Sequence, residues 1–305
     1  MSINQSGATM RERDGYPAGV PCWIDTSQPD PEAAVSFYGG IFGWEIEDAM
    51  PHGSPGSYYI ARLRGGDVAA IGSLPESSPP VARWNTYIWV ESADEAASKV
   101  QSVGGRVISD PFDVMDAGRM AVCADPEGAV FCIWQAKRHR GARIVNEPGS
   151  LNFNGLHTRD PNGAKSFYGS VFGWEVLRTA DDWQAWRLPG YGDFLEQSDP
   201  GLRERMAQSG APAGFEDVVA TLNPITDGQA EVPVHWSVTF AVDDADATAS
   251  RAAELGGRVI VAPFDAPWVR MTVIGDPQGA TFVASKFAPE NKDVGTGNGS
   301  ATSAA

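Results

Sequence analysis

The chain has 305 residues, 39 acidic against 23 basic, and a formal net charge of −16. That balance repels phosphate backbones and anionic lipid headgroups, so neither nucleic acid nor a membrane is an expected partner. No apolar run approaches the roughly 18 residues of a membrane span and the polar N-terminus has no signal-peptide core, which makes the cytoplasm the expected location. Cys22, Cys123 and Cys132 are odd in number and not spaced as a metal knuckle, as expected of small core residues in a reducing compartment.

Residues 1–17 are polar and are expected to be a disordered N-terminus, as is the tail 289–305, rich in Gly, Ser, Thr and Ala. The first domain, 18–136, reads strand (about Gly19–Thr26), helix (Pro31–Ile41) and strands Gly43–Glu47, Tyr58–Leu63 and Asp67–Gly72. A turn-forming run, Pro75–Pro80, precedes strand Ala82–Val90, helix Ala93–Val103 and strands Arg106–Val114, Gly118–Ala124 and Ala129–Gln135. A connector, 137–149, carries Arg138, Arg140 and Arg143 and is expected to be solvated. The second domain, 150–288, repeats the order with strand Leu151–Thr158, helix Pro161–Val171 and strands Trp174–Arg178 and Asp182–Leu188. An insertion of about residues 193–232 follows, with a helix at Asp199–Gln208 and a strand at Phe215–Leu222, and the pattern resumes from Pro233 to Ser285.

The halves are an internal duplication. Phe37-Tyr38-Gly39-Gly40-Ile41-Phe42-Gly43-Trp44-Glu45 returns 130 residues later as Phe167-Tyr168-Gly169-Ser170-Val171-Phe172-Gly173-Trp174-Glu175, each after an Asp-Pro, Asp30-Pro31 or Asp160-Pro161. Asp caps the helix, Pro suits its first turn and Gly ends it. The runs Gly104–Ile108 and Gly256–Ile260, and the turns Asp125–Gly128 and Asp276–Gly279, repeat at offsets of 152 and 151. The pattern is βαβββ four times over, an α+β architecture of two tandem domains.

These modules, with Asp-Pro before the first helix, Phe-Tyr-(x)3-Phe-Gly-Trp at its end and Asp-Pro-x-Gly before the last strand, resemble the vicinal oxygen chelate (VOC) superfamily of glyoxalase I, bleomycin-resistance proteins and extradiol dioxygenases. The resemblance covers about residues 19–286 and is closest in style to tandem-domain actinobacterial members described as glyoxalase-like or as hydroxylases. It implies that each pair of modules curls into a cup that holds the ligand. It also implies that metal-dependent members carry a His or another ligand on the first strand of a module and a Glu on the last. Those positions here are Trp23, Asn85 and Cys132 in one half and Phe153, Ser237 and Val283 in the other, with no acid in Ala69–Leu74. They do not supply three or four metal donors, so no metal and no other cofactor is expected.

Strand alternation assigns the cup faces. Trp23, Asp25, Asn85, Tyr87, Trp89, Cys132 and Trp134 are expected in the first cup, and Phe153, Gly155, His235, Ser237, Thr239, Val283 and Ser285 in the second. Arg119 and Arg270 are expected to enter one cup each, with Met120 and Met271 on the packed side, and Trp183, Trp186 and Tyr191 to form a rim. Such aromatic walls suit a largely apolar, planar small molecule.

The leading expectation is a metal-independent enzyme of lyase, isomerase or cyclase type acting on an aromatic or polyketide-like metabolite of secondary metabolism. Its acid–base residues would be Asp25, His235, Arg119 and Arg270. The alternative is a protein that sequesters an antibiotic, as bleomycin-resistance members do; metal-dependent glyoxalase or dioxygenase chemistry ranks below both. The duplication already provides the pairing that shorter family members reach by dimerising, so a monomer or a homodimer is expected.

Overall fold

Each half opens with a strand that runs into an Asp-Pro helix. In the computed structural model, which describes residues 13–74, 80–179 and 183–294, β1 (Pro21–Gln28) leads to α1 (Pro31–Phe42), and β9 (Leu151–Thr158) to α3 (Pro161–Phe172). Asp30 Oδ1 accepts from Ala33 N and Asp160 Oδ1 from Gly163 N, while Gly43 and Gly173 close the helices at φ 67° and 75°, where a side chain would be strained. The expected Pro75–Pro80 turn falls almost wholly outside the described residues.

The first sheet adds β2 (Glu45–Asp48), β3 (Tyr58–Leu63), β4 (Gly66–Ser73), β5 (Arg83–Trp89), β6 (Arg106–Val114), β7 (Gly118–Ala124) and β8 (Val130–Ala136), with α2 (Ala93–Ser102) between β5 and β6. The second adds β10 (Glu175–Arg178), β11 (Gln184–Arg187), β12 (Val218–Pro224), β13 (His235–Ala241), β14 (Arg258–Ala266), β15 (Val269–Gly275) and β16 (Thr281–Phe287). Helices α4 (Tyr191–Ser198) and α5 (Leu202–Gln208) fall between β11 and β12, and α6 (Ala245–Glu254) between β13 and β14. The strand orders, β2-β3-β4-β1-β5-β8-β7-β6 and β10-β11-β12-β9-β13-β16-β15-β14, are identical in kind, so the two eight-stranded sheets are tandem copies of one α+β design.

The inserted segment is narrower than expected. β12 pairs parallel to β9, as β4 does to β1, and so belongs to the sheet. Only the chain from the end of β11 to the short 3-10 turn Phe215–Asp217 is extra, and it holds α4 as well as α5. The ends also depart from expectation where they are described. Tyr16 is buried and donates to Ala142 O, and Pro289–Asn291 forms a 3-10 turn. Among the described residues no helix is long and apolar enough to cross a membrane.

The repeated motifs meet between the sheets. Tyr38 and Phe42 of α1 and the following Trp44 pack with Trp84 and, from the other half, Phe240 and Phe282. Tyr168, Phe172 and Trp174 do the same with Trp236 and Phe131. Tyr38 OH donates to Asp276 Oδ2 across the halves at 2.9 Å, and Tyr168 OH to Asp125 Oδ2 at 3.0 Å. The other oxygen of each Asp accepts the backbone N–H groups of its own turn. Trp44 and Trp174 donate reciprocally to Gly149 O and Gly19 O. The Phe-Tyr-(x)3-Phe-Gly-Trp and Asp-Pro-x-Gly motifs are thus the two sides of one clasp, made twice, and this clasp leaves the opposite sheet faces as the cups.

Candidate functional site

In the first cup β1 and β5 run antiparallel, with Asp25 opposite Asn85 and Trp23 opposite Tyr87; β8 then sets Cys132 beside Tyr87 and Trp134 beside Trp89. Asp25 accepts from Asn85 Nδ2 (2.7 Å), Tyr87 OH (2.7 Å) and Tyr58 OH (3.0 Å), and Tyr58 OH in turn accepts from Trp23 Nε1 (3.1 Å). Burial pushes the Asp25 carboxyl up, against these three hydrogen bonds, which favour the anion. Burial also raises the Tyr58 and Tyr87 hydroxyls and the Cys132 thiol, so all three stay protonated.

This cup is filled by its own side chains. Trp23, Asp25, Tyr87, Cys132 and Trp134 are each at most 7% exposed. From the connector, His139 sets its ring against Trp23 at 4.3 Å, and its backbone oxygen accepts from Trp134 Nε1. The connector is therefore partly packed rather than solvated: Ala142, Ile144 and Val145 are buried.

The second cup has the same strands and smaller residues. Gly155 faces Ser237 where the first cup has Asp25 and Asn85, Thr239 stands for Tyr87, Val283 for Cys132 and Ser285 for Trp134. Phe153, His157, Thr221, Asn223, Ser237, Thr239 and Val283 remain half-buried. Smaller residues thus stand where the first cup carries Asp25, Asn85, Tyr87 and Trp134, and the side chains of Thr221, Asn223 and Ser237 close over Gly155.

A histidine pair sits on this half-buried floor. His157 and His235 are cross-strand partners whose rings stack at 4.3 Å and 9°. His235 Nδ1 lies 2.8 Å from Pro233 O; a carbonyl only accepts, so Nδ1 carries the proton and Nε2 of the neutral ring keeps its lone pair. His157 Nε2 lies 3.1 Å from Ser237 Oγ, which donates to Gly155 O at 3.3 Å. Burial, with the neighbouring His235 adding to it, lowers His157 to about 4, and burial lowers His235 as well. Both rings are neutral near pH 7, which permits the stack.

Arg119 and Arg270 do not enter the cups. Arg119 pairs across the sheet with Gln135 on the helix side and holds Asp94 of α2 with two bonds of 2.8 and 2.9 Å. Arg270 holds Asp246 of α6 at 2.5 and 2.8 Å, and also Asp265. Met120 and Met271, opposite Trp134 and Ser285, take the cup face instead. Trp186 is wholly buried against Tyr168 and Trp174 and is no rim residue; Trp183 packs on Phe215, and Tyr191 is buried at the inserted helices. Tyr58, His139 and His157 are site residues that the alternation argument passed over, although His157 shares a strand face with Phe153 and Gly155.

The donor sets do not fit a divalent ion. Asp25 is already engaged by three side-chain donors, and stacked imidazoles with near-parallel planes do not converge their lone pairs on one point. Among the described residues no group of three or more His, Cys, Asp or Glu forms a metal-binding cluster.

If Asp25 is held by burial and not by an ion, Asp25→Asn has a signed effect. A carboxyl whose folded pKa is raised binds its proton more tightly when folded, so its contribution to stability falls as pH rises from the unfolded value, about 4, through the folded one. The variant is expected to flatten that decline; urea titrations from pH 4 to 8 that keep the wild-type slope would contradict it.

Comparison with known proteins agrees with this architecture. Residues 23–133 match the family model of the Glyoxalase/Bleomycin resistance protein/Dioxygenase superfamily, and residues 153–284 that of a Glyoxalase-like domain. The chain is 41% identical over 286 residues to the putative glyoxylase CFP32 of Mycobacterium tuberculosis, covering 92% of this chain and 100% of that one. It is 33% identical over 280 residues to the anthracycline biosynthesis protein DauV of Streptomyces sp. strain C5, covering 88% and 93%. Among solved structures, the Mn(II)-bound glyoxalase from Novosphingobium aromaticivorans aligns with a TM-score of 0.56 at 15% identity over 88% of this chain and 83% of that one. The 2,3-dioxygenase LapB from Pseudomonas sp. KL28 aligns with a TM-score of 0.54 at 12% identity over 88% and 93%. Two matched domains, two cups of one strand order and relatives of this identity along nearly the whole chain make it a tandem-domain member of the glyoxalase/bleomycin resistance protein/dioxygenase superfamily, the VOC fold.

Proposed function

We propose that this protein is a metal-independent enzyme that takes a flat, largely apolar, polyketide-like aromatic metabolite into its second cup and moves a proton there. The observation that carries the reading is the neutral histidine pair on the half-buried floor, with His235 Nδ1 tied to Pro233 O and Nε2 left basic. His157 stacks beneath His235 and fixes the ring plane; Ser237 anchors His157. A base in that state suits proton abstraction beside a carbonyl, the step common to isomerase, cyclase and lyase chemistry. The ligand class is supported by the apolar walls, Phe153 and Met271, and by the relatives DauV and DnrV, both named as anthracycline biosynthesis proteins. In this reading Asp25, Arg119 and Arg270 have structural work, and His235 alone of the four expected acid–base residues acts on substrate.

The test is exchange of ligand carbon-bound protons in deuterated buffer, with an anthracyclinone bearing a ring ketone as the probe. His235→Gln is expected to slow exchange about 10²-fold or more. The acid limb of the wild-type pH profile is expected below the ordinary imidazole value of about 6.5, because burial favours the neutral ring. An unchanged rate in His235→Gln would remove the proposal. The sequestration reading draws on the three hydrogen bonds that hold Asp25, a buried carboxylate of the first cup, away from acid–base work, and predicts tight binding of a ligand recovered chemically unaltered.

A further inference from the structure

A cavity lies beyond the second cup, where the segment before β1 meets the start of β9 and the inserted helices. It encloses about 100 Å³ and widens to about 630 Å³ with its open mouth. Its walls are mostly apolar and aromatic, with Phe153, Phe215, Leu195 and Met206 among them, interrupted by the amides of Asn152 and Asn154, and they include one permanently charged group, Arg13.

Arg13 is half-buried, yet among the described residues no carboxylate lies within ion-pair distance of its guanidinium, whereas most of the chain's other described arginines hold an Asp or a Glu. Its Nη1 donates to Tyr191 OH at 2.5 Å, and its head lies over the rings of Tyr16 (5.1 Å) and Tyr191 (5.9 Å). Glu216 also lines the cavity, but Arg203 faces it at 3.5 Å. A half-buried charge without a counter-ion is costly, and a guanidinium has five N–H donors in a planar fork, more than the hydroxyls of Tyr191 and Tyr16 beside it accept. The segment is held in place for this: Arg13 N donates to Arg143 O, and Tyr16 OH to Ala142 O.

We infer that this cavity is a second ligand subsite, which receives a planar aromatic carboxylate with its anionic end on Arg13 and its ring among Phe153, Phe215 and Met206. An apolar cavity of about 150 Å³ holds benzene, so about 100 Å³ takes the carboxylate and the adjoining ring atoms, and the rest of a flat ligand extends into the mouth. The inference does not depend on the chemistry proposed for the histidine pair, since its readout is binding away from His235.

The experiment titrates the full-length protein with benzoate and with benzamide, its neutral isostere, at constant ionic strength, and follows the methyl resonance of Met206. Benzoate is expected to bind at least about tenfold more tightly than benzamide and to shift Met206, and Arg13→Met to erase that preference. Should Arg13→Met fail to fold, Leu195→Trp fills the cavity while keeping the guanidinium and is expected to block benzoate. Equal affinity for the two probes in the wild type, or benzoate binding unchanged in either variant, would overturn the subsite. Loss of proton exchange in His235→Gln with benzoate binding intact would leave it standing.

Discussion

Gly155→Leu is expected to close the second cup and weaken ligand binding by about 100-fold or more. A Cβ at Gly155 would lie 2.6 Å from Thr221 Oγ1, 2.8 Å from Asn223 Nδ2 and 2.9 Å from Ser237 Oγ, so any side chain there displaces the floor and occupies the space a ligand needs. Overpacking of this kind destabilises by about 1–3 kcal/mol, which leaves a folded protein to assay. Thr239→Tyr provides a check with less strain, because it installs on the second cup the residue type that Tyr87 supplies in the first. Both are expected to abolish uptake of an anthraquinone-type ligand, measured by calorimetry, whereas Tyr87→Phe in the filled cup is expected to leave it unchanged. If Tyr87→Phe abolished binding and the two occluding variants did not, the roles of the cups would be reversed.

Asp276→Ala is expected to destabilise the whole chain by about 3–5 kcal/mol, because it leaves several buried donors without an acceptor at about 1–3 kcal/mol each. The substitution strands Tyr38 OH, Gln28 Nε2 and the backbone N–H groups of Gln278 and Ala280 in the contact between the halves. Tyr38→Phe removes one hydroxyl of the same clasp and is expected to destabilise less, by about 1–2 kcal/mol. Because each half supplies one side of both clasps, urea unfolding is expected to stay a single transition in the wild type, and Asp125→Ala to resemble Asp276→Ala. Two separated transitions, or a loss under about 1 kcal/mol, would show that the halves fold independently and that the repeated motifs do not couple them.

Those motifs were the legible part of the sequence. Asp caps, Pro at the first helical turn and glycine at the end recur in both halves and form the helices they imply, and the repeat by itself gives the shared strand order. Alternation on β1, β5 and β8 also places Trp23, Asp25, Asn85, Tyr87, Cys132 and Trp134 on one face, as found. It fails on β7 and β15, because a period of two says which residues share a face and not which face is the cup. Apolar character points Met120 and Met271 to the packed side and the arginines to the cup, whereas both methionines face the cup and Arg119 and Arg270 the helices. An acid in the first turn of the facing helix, Asp94 or Asp246, was the available clue.

The rest was out of reach of local pattern. Helix α4 follows an N-cap glycine, Gly190, with φ 88° and no side-chain cap, so it carries no start signal. The histidine pair joins residues 78 positions apart through strand pairing alone, and spacing within one strand or helix cannot reveal it. Arg13 looked like part of a polar tail; what holds it is Tyr191, in the insertion, and the connector at Ala142 and Arg143.

The most direct measurement is titration of chelator-treated protein with an anthraquinone-type ligand while the ring resonances of His157 and His235 are recorded. The second cup, working without a metal, predicts saturable binding at one site that shifts both imidazoles and is indifferent to added Mn(II) or Zn(II). Binding that appears only when a divalent ion is restored, or that leaves both imidazoles unmoved, would contradict it and return the ligand to the first cup or to metal-dependent chemistry.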